Sequence, residues 1–138
     1  MSASILIVDD EVSILNSLSS ILEDEGYEVS VAKSGIEALK LCAVSPPELM
    51  MLDIWMPDMD GLETLRRLRE LVPQTQVMMM SGHGSIETAV KAIKLGAYDC
   101  IEKPFKRIEL VKTVEKALEK QNLLFENPRL REDLEGEP

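Results

Sequence analysis

Leu49-Met50-Met51-Leu52-Asp53-Ile54-Trp55-Met56-Pro57-Asp58-Met59-Asp60-Gly61 decides the fold. The apolar run Leu49 to Leu52 stops abruptly at Asp53. That is how a strand buried on both faces of a parallel sheet reads. A carboxylate at the C-terminal end of such a strand faces the crevice where open α/β sheets hold their ligands. Pro57 and the Asp60-Gly61 pair mark a loop. Asp60, with Glu63 three residues on, is placed to cap the helix that follows.

Outward from this stretch, strand and helix signals alternate. Ile5 to Val8 is a β-branched and aliphatic run ending in Asp9-Asp10-Glu11. Ile14, Leu15, Leu18, Ile21 and Leu22 form a helical stripe over Ser13 to Glu25, stopped by Gly26. Tyr27 to Val31 reads as a second strand, and Ser34-Gly35-Ile36-Glu37 as a capping box opening a helix to about Val44. Leu62, Leu65, Leu68 and Leu71 mark a third helix, stopped before Pro73. Gln76 to Met80 is a fourth strand running into Ser81-Gly82-His83-Gly84. Ser85 is placed to cap a helix whose Ile86, Val90 and Ile93 are expected to face inward, with Gly96 as terminator. Tyr98 to Glu102 is a fifth strand ending at Lys103-Pro104. A last helix from near Lys106 carries Ile108, Val111, Val114 and Leu118 on one face. Five strands alternating with five helices predict an α/β doubly wound parallel sheet.

Composition narrows the function. The 138 residues suit one domain with a sizeable core, and the 45% hydrophobic content is that of a globular chain. Aromatics are 4%, so aliphatic residues and eight Met must fill the interior. A formal net charge of −10 argues against nucleic-acid binding by this chain. Cys42 and Cys100 have no metal-ligand spacing and read as reduced, buried side chains. No signal peptide or membrane-length apolar run is evident, so the expected location is cytoplasmic, with no membrane partner.

The strand ends carry the chemistry. One sheet edge should gather Asp9, Asp10, Asp53, Ser81 and Lys103. Each has a bland reading: the acid pair a helix-capping turn, Ser81 a turn hydroxyl, Lys103 a solvated charge, His83 a loop residue. Their shared edge is what favours a site. Like-charged carboxylates repel unless a cation joins them, and hard oxygen ligands suit Mg²⁺. Asp10 and Asp53 are the expected direct ligands, with Asp9 acting through water and the Trp55 backbone carbonyl completing the set. Asp53 can also act as a nucleophile forming an aspartyl phosphate. Lys103 would then neutralise charge on the phosphoryl oxygens and Ser81 would donate a hydrogen bond to one of them. No P-loop or GxGxxG supports nucleotide binding.

Over residues 4 to about 121 the sequence closely resembles the receiver domain of bacterial two-component response regulators. The Asp-Asp pair, Leu-Asp-Ile-x-Met-Pro-x-Met-Asp-Gly, the Ser-Gly turn and Lys-Pro-Phe carry the resemblance. Ser81-Gly82-His83-Gly84-Ser85 and Gly96-Ala97-Tyr98-Asp99 resemble the NtrC and NtrX class of enhancer-binding regulators. The resemblance implies a flavodoxin-like, CheY-like (βα)5 sheet in strand order 2-1-3-4-5. It implies Asp53 as phosphoacceptor supplied by a sensor histidine kinase, with Mg²⁺ held by Asp9, Asp10 and Asp53. It makes Ser81 the switch hydroxyl and Lys103 the phosphate-contacting lysine, and it implies a cis Lys103-Pro104 bond. It also implies switching, and a possible homodimer, through helix 4, strand 5 and helix 5.

One position departs from the pattern. Cys100 stands where the family carries its switch aromatic, and Tyr98, expected on the same face, is the candidate substitute. Trp55 and His83, each two residues past Asp53 and Ser81, are expected to tune the lifetime of the phosphoryl group. A domain over 1–122 is expected, with 123–138 as a helical extension or linker toward a missing effector. Its output would be transcriptional, with a stand-alone receiver acting by protein–protein contact as the alternative. A Mg²⁺-dependent phosphohydrolase is the enzyme alternative. Trp55, which cannot transfer protons, stands where such an enzyme would need its second carboxylate, and no insertion is long enough for a substrate cap. The chain is therefore read as a non-enzyme.

Overall fold

The structure is a computed structural model and describes residues 3–56, 59–82, 86–103 and 105–119. Strand β1 (Ser4–Val8), helix α1 (Val12–Asp24), β2 (Glu28–Ala32), α2 (Gly35–Val44), β3 (Leu49–Asp53), α3 (Gly61–Leu71), β4 (Gln76–Ser81), α4 (Ile86–Lys94) and β5 (Asp99–Glu102) follow in turn. A fifth helix, α5, is described over 107–119. The five strands are all parallel, in the order β2-β1-β3-β4-β5.

Side-chain alternation along the central strands builds two cores at once. Leu6, Val8, Met50, Leu52, Val77 and Met79 point to one face, where Ala38, Cys42, Leu65, Leu68 and Ala92 bring in α2, α3 and α4. Ile5, Ile7, Leu49, Met51, Met78 and Met80 point to the other, against Leu15, Leu18 and Leu22 of α1 and Leu110, Val114 and Ala117 of α5. β3 is buried at every residue, as its unbroken apolar run requires. Five fully buried methionines at the sheet centre take the space that ring side chains would otherwise fill.

Local signals set most element ends. Ser34 Oγ accepts from the Glu37 amide at 3.1 Å and Asp60 Oδ1 from the Glu63 amide at 2.8 Å, capping α2 and α3. Gly26 closes α1 at φ +93°. Its amide donates to Glu23 O at 2.9 Å and that of Tyr27 to Leu22 O at 3.1 Å. The Tyr27 amide is thus spent on the helix end, so β2 starts one residue later than expected. β5 likewise starts at Asp99, after a matching closure in which the Ala97 amide donates to Ala92 O at 3.0 Å.

Two helices are rotated from their expected faces. Ile86, Val90 and Ile93 of α4 are 85%, 45% and 47% exposed, and Ala92 is the buried residue. The small alanine lets the helix backbone approach the sheet, and the branched side chains turn outward. On α5, Ile108 is 70% exposed, while Leu110, Val114, Ala117 and Leu118 are buried. Val114 and Leu118 of α5 thus belong to the core rather than to a free face. Ser85 as a cap, and the run of the last helix through Leu123-Leu124, lie outside the described residues.

Candidate functional site: an acidic crevice at the strand ends

The parallel sheet brings the C-terminal ends of β1, β3, β4 and β5 to one edge. Main-chain bonds tie those ends together. The Asp9 amide donates to Ala32 O at 3.1 Å, Ile54 to Met80 O at 3.0 Å and Lys103 to Ser81 O at 2.8 Å. Behind β3, Gly61 lies so close that a Cβ there would sit 2.3 Å from Asp53 O. The Gly61 amide donates to Ile54 O at 2.6 Å. Absence of a side chain at Gly61 is what allows α3 to start directly beneath the site.

Asp9, Asp10 and Asp53 each offer a carboxylate oxygen within 4.8 Å of the others. Asp9 and Asp53 are buried and Asp10 is exposed. Asp9 is held from two sides: Oδ1 accepts from the Glu11 amide at 2.9 Å, and Oδ2 from Lys103 Nζ at 2.6 Å. The same ammonium reaches Asp53 Oδ1 at 3.3 Å. Burial, and then the neighbouring Asp9 carboxylate, push the Asp53 carboxyl up to about 6 against the pull of Lys103. Burial works to lower the Lys103 value, but its hydrogen bond to Asp9 and the charge of Asp53 outweigh it and raise it. Asp53 is therefore a carboxylate at neutral pH, held in a field of like charge that one lysine only partly offsets.

Ser81 completes the edge. It is buried, and among the described residues its Oγ has no hydrogen-bond partner. An orphaned hydroxyl is costly unless something fills its donor or acceptor capacity. Beside three carboxylates, it suits a ligand that brings its own acceptor oxygens, such as a phosphoryl group.

Five expected residues are thus brought to one edge: Asp9, Asp10, Asp53, Ser81 and Lys103. Trp55 follows β3 with its side chain 60% exposed. His83 and the Lys103-Pro104 bond fall on residues outside the described set. Cys100 is half-buried and packs against the α2-α3-α4 core. Tyr98 corrects an expectation: it packs with Ile101 and Phe105 against the α1-α5 core, on the opposite face from Cys100. The anchoring of Asp9 by the Glu11 amide and Lys103 was not foreseen, since no pattern in the chain signals a contact between residues 9 and 103.

With this edge in place, comparison with known proteins assigns the class. Residues 5–115 match the response regulator receiver domain, and the chain belongs to that family of phosphorylation-dependent signalling switches. It is 48% identical over 134 residues to the nitrogen assimilation regulatory protein NtrX of Azorhizobium caulinodans, covering 96% of this chain and 30% of the relative. The crystal structure of NtrX from Brucella abortus superposes with a TM-score of 0.90 at 46% identity, over 96% of this chain and 30% of that one. The solution structure of the beryllofluoride-activated NtrC4 receiver domain dimer gives 0.82 at 45% identity, over 86% and 98%. The chain spans about 30% of the length of the NtrX relatives it matches. Among the described residues no helix is long and apolar enough to cross a membrane.

Proposed function

We propose that Asp53 is the phosphoacceptor of this receiver and that the crevice around it is built to transfer and hold one phosphoryl group. The observation that carries the reading is the pairing of a partly buried, cation-deficient carboxylate cluster with the orphaned Ser81 hydroxyl. Asp10 and Asp53, with Asp9 behind them and the Trp55 carbonyl, are the residues that would hold Mg²⁺. When bound there, Mg²⁺ supplies charge neutralisation for the carboxylates and the phosphoryl oxygens.

A carboxylate oxygen of Asp53 attacks phosphorus on a phosphohistidine. The phosphorus–nitrogen bond breaks, and the departing imidazole keeps the electron pair and takes up a proton. Lys103, already 3.3 Å from Asp53 Oδ1, faces the charge on the transferred group, and Ser81 Oγ donates to one of its oxygens. The donor is a sensor histidine kinase, and loss of the group is by slow hydrolysis rather than by turnover of a separate substrate.

The output side of the reading is α4, β5 and α5. The exposed Ile86, Val90 and Ile93 of α4 give this surface an apolar component suited to a second copy of the chain. The solution structure of a beryllofluoride-activated NtrC4 receiver domain dimer supports this. Residues 1–122 form the receiver and 123–138 the connection to an effector in a cytoplasmic regulator of transcription. The length of the NtrX relatives supports that arrangement.

The test is intact mass after incubation with acetyl phosphate, with and without Mg²⁺, on wild type and Asp53→Asn. One phosphoryl adduct that requires both Mg²⁺ and Asp53 is expected. Folded wild-type protein that takes up no phosphate would overturn the reading.

A further inference from the structure

The corner between β2 and α2 is joined to both sides of the crevice. At the end of β2, Ala32 O accepts the Asp9 amide at 3.1 Å, which ties the corner to the acid pair. Three residues on, Gly35 opens α2 behind its Ser34 cap and abuts the start of α3. A Cβ at Gly35 would lie 2.4 Å from Thr64 Oγ1 and 3.4 Å from Met59 Cβ. Gly35 does not have a positive φ, so its missing side chain answers to this contact and not to backbone conformation.

Thr64 is fully buried. Its amide and its Oγ1 both donate to Asp60 O, each at 3.0 Å. Asp60 Oδ1 in turn caps α3 through the Glu63 amide at 2.8 Å. The next residue, Gly61, donates its amide at 2.6 Å to Ile54 O, the carbonyl just before Trp55. A threonine hydroxyl bonded four residues back is common in helices. Here the same oxygen is also packed against the first residue of another helix, with no side chain between them. The contacts Asp9–Ala32, Gly35–Thr64, Thr64–Asp60 and Gly61–Ile54 therefore lead from the acid pair to the exit of β3. Those are the two sides that a cation at the site would bridge.

On the receiver reading above, we propose that the Gly35–Thr64 contact is a spacer that sets the width of the crevice, and with it the preference for Mg²⁺ over larger divalent cations. Mg²⁺ demands near-ideal octahedral geometry with short metal–oxygen distances, whereas Ca²⁺ accepts longer distances and looser arrangements. Close-packed contacts pass a displacement on instead of absorbing it. A crevice forced wider or left loose therefore loses Mg²⁺ before it loses Ca²⁺. Thr64 is a positioning residue, acting through Asp60 and Gly61 and not as a ligand. Gly35 is its counterpart, the place where α2 leaves room for the hydroxyl.

The test is the Tm of the whole chain against Mg²⁺ and, separately, Ca²⁺, converted to affinities by linkage. The proteins compared are wild type, Gly35→Ala, Thr64→Ala, the double variant carrying both changes, and Asp53→Asn. Gly35→Ala crowds the contact and Thr64→Ala empties it, and each should weaken Mg²⁺ about fivefold and Ca²⁺ by about twofold or less. In the double variant the new methyl takes up the space of the lost hydroxyl, so most of the Mg²⁺ preference should return, a non-additivity that a merely structural loss does not produce. Single variants that keep the wild-type ratio of the two affinities overturn the spacer, as do equal losses for both ions. A double variant no better than the weaker single overturns it too. If Gly35→Ala does not fold, Thr64→Ala and the double variant decide by the same ratio. Wild type that Mg²⁺ does not stabilise, or that gains no more from it than Asp53→Asn, overturns the receiver reading itself. Wild type that binds Mg²⁺ through Asp53, with variants of unchanged preference, removes the spacer alone.

Discussion

Tyr98 and Cys100, two residues apart in the chain, pack against opposite faces of the sheet: Tyr98 with the α1-α5 core, Cys100 with the α2-α3-α4 core. Two-residue alternation holds only within a strand. β5 begins at Asp99, so Tyr98 lies in the bend before it, with its amide donated to Val77 O at 2.7 Å. The described residues of the α4-side core include no aromatic ring. Among the described residues of that core Ser81 therefore has no ring to move with. The connection on hand is main-chain, from Ser81 O to the Lys103 amide at 2.8 Å.

Ser81→Ala is expected to weaken the response more than any change at residue 100. On the receiver reading Ser81 Oγ donates to the charged group held at Asp53; losing such a bond costs about 1.5–3 kcal/mol, so beryllofluoride binding should weaken roughly tenfold or more. Cys100→Tyr should alter binding by less than that. If Cys100→Tyr changed the activated state strongly while Ser81→Ala had no effect, transmission through the backbone would be the wrong account.

Asp53 sets a pH dependence of stability. Its folded value of about 6 lies above the ordinary 3.8, so the folded protein binds the proton more tightly than the unfolded chain. Ionising Asp53 in the fold is then a cost that is absent below about pH 4, grows between pH 4 and 6, and is complete above 6. At full ionisation the cost is on the order of 3 kcal/mol. Asp53→Asn should accordingly raise the metal-free Tm at pH 7.5, and the gain should vanish near pH 4. Adding Mg²⁺ at pH 7.5 should shrink it by stabilising wild type more than the variant. Equal Tm values for both proteins across pH 4 to 8 would mean that Asp53 carries no such burden.

Gly61→Ala should damage the fold at the site itself. The added methyl would meet Asp53 O at 2.3 Å and Ile54 Cα at 2.6 Å, both on the backbone of β3 and its exit, where nothing flexible can yield. Overpacking of this kind costs about 1–3 kcal/mol, and more where backbone must shift. Chemical denaturation should show that loss, with beryllofluoride binding weakened beyond what stability alone explains. Gly26→Ala, where no atom lies within 4 Å, is the matched control for a glycine whose constraint is φ alone.

Much of this architecture was legible because its signals are local. The buried run into Asp53, the caps at Ser34 and Asp60 and the stops at Gly26 and Gly96 depend on a few neighbouring residues. The gathering of Asp9, Asp10, Asp53, Ser81 and Lys103 followed from parallel topology alone, since every strand then ends at the same edge. Helix rotation was not legible in that way. On α4 the largest side chains point outward because Ala92 permits close approach, and apolar periodicity does not distinguish a stripe that faces the sheet from one left free. The contacts of Arg69 with Gly96 and of Lys103 with Asp9 join distant parts of the chain by single side chains, and no periodic pattern encodes such pairs.

Trp55 offers the last prediction. It follows Asp53, the proposed phosphoacceptor, by two residues and is 60% exposed. On the receiver reading, an exposed apolar ring two residues past Asp53 is expected to limit the approach of water to an acyl phosphate there. Trp55→Ala should leave phosphate uptake and the Mg²⁺ requirement intact while the phosphoprotein decays faster. A ring that screens water only in part should change the decay about threefold, equivalent to roughly 0.7 kcal/mol on the barrier. Decay followed by intact mass, in excess Mg²⁺ and after removal of the phosphodonor, checks this. Equal lifetimes would place the ring away from the path of water. A slowed uptake in the variant would instead move Trp55 from the release of the phosphoryl group to its arrival.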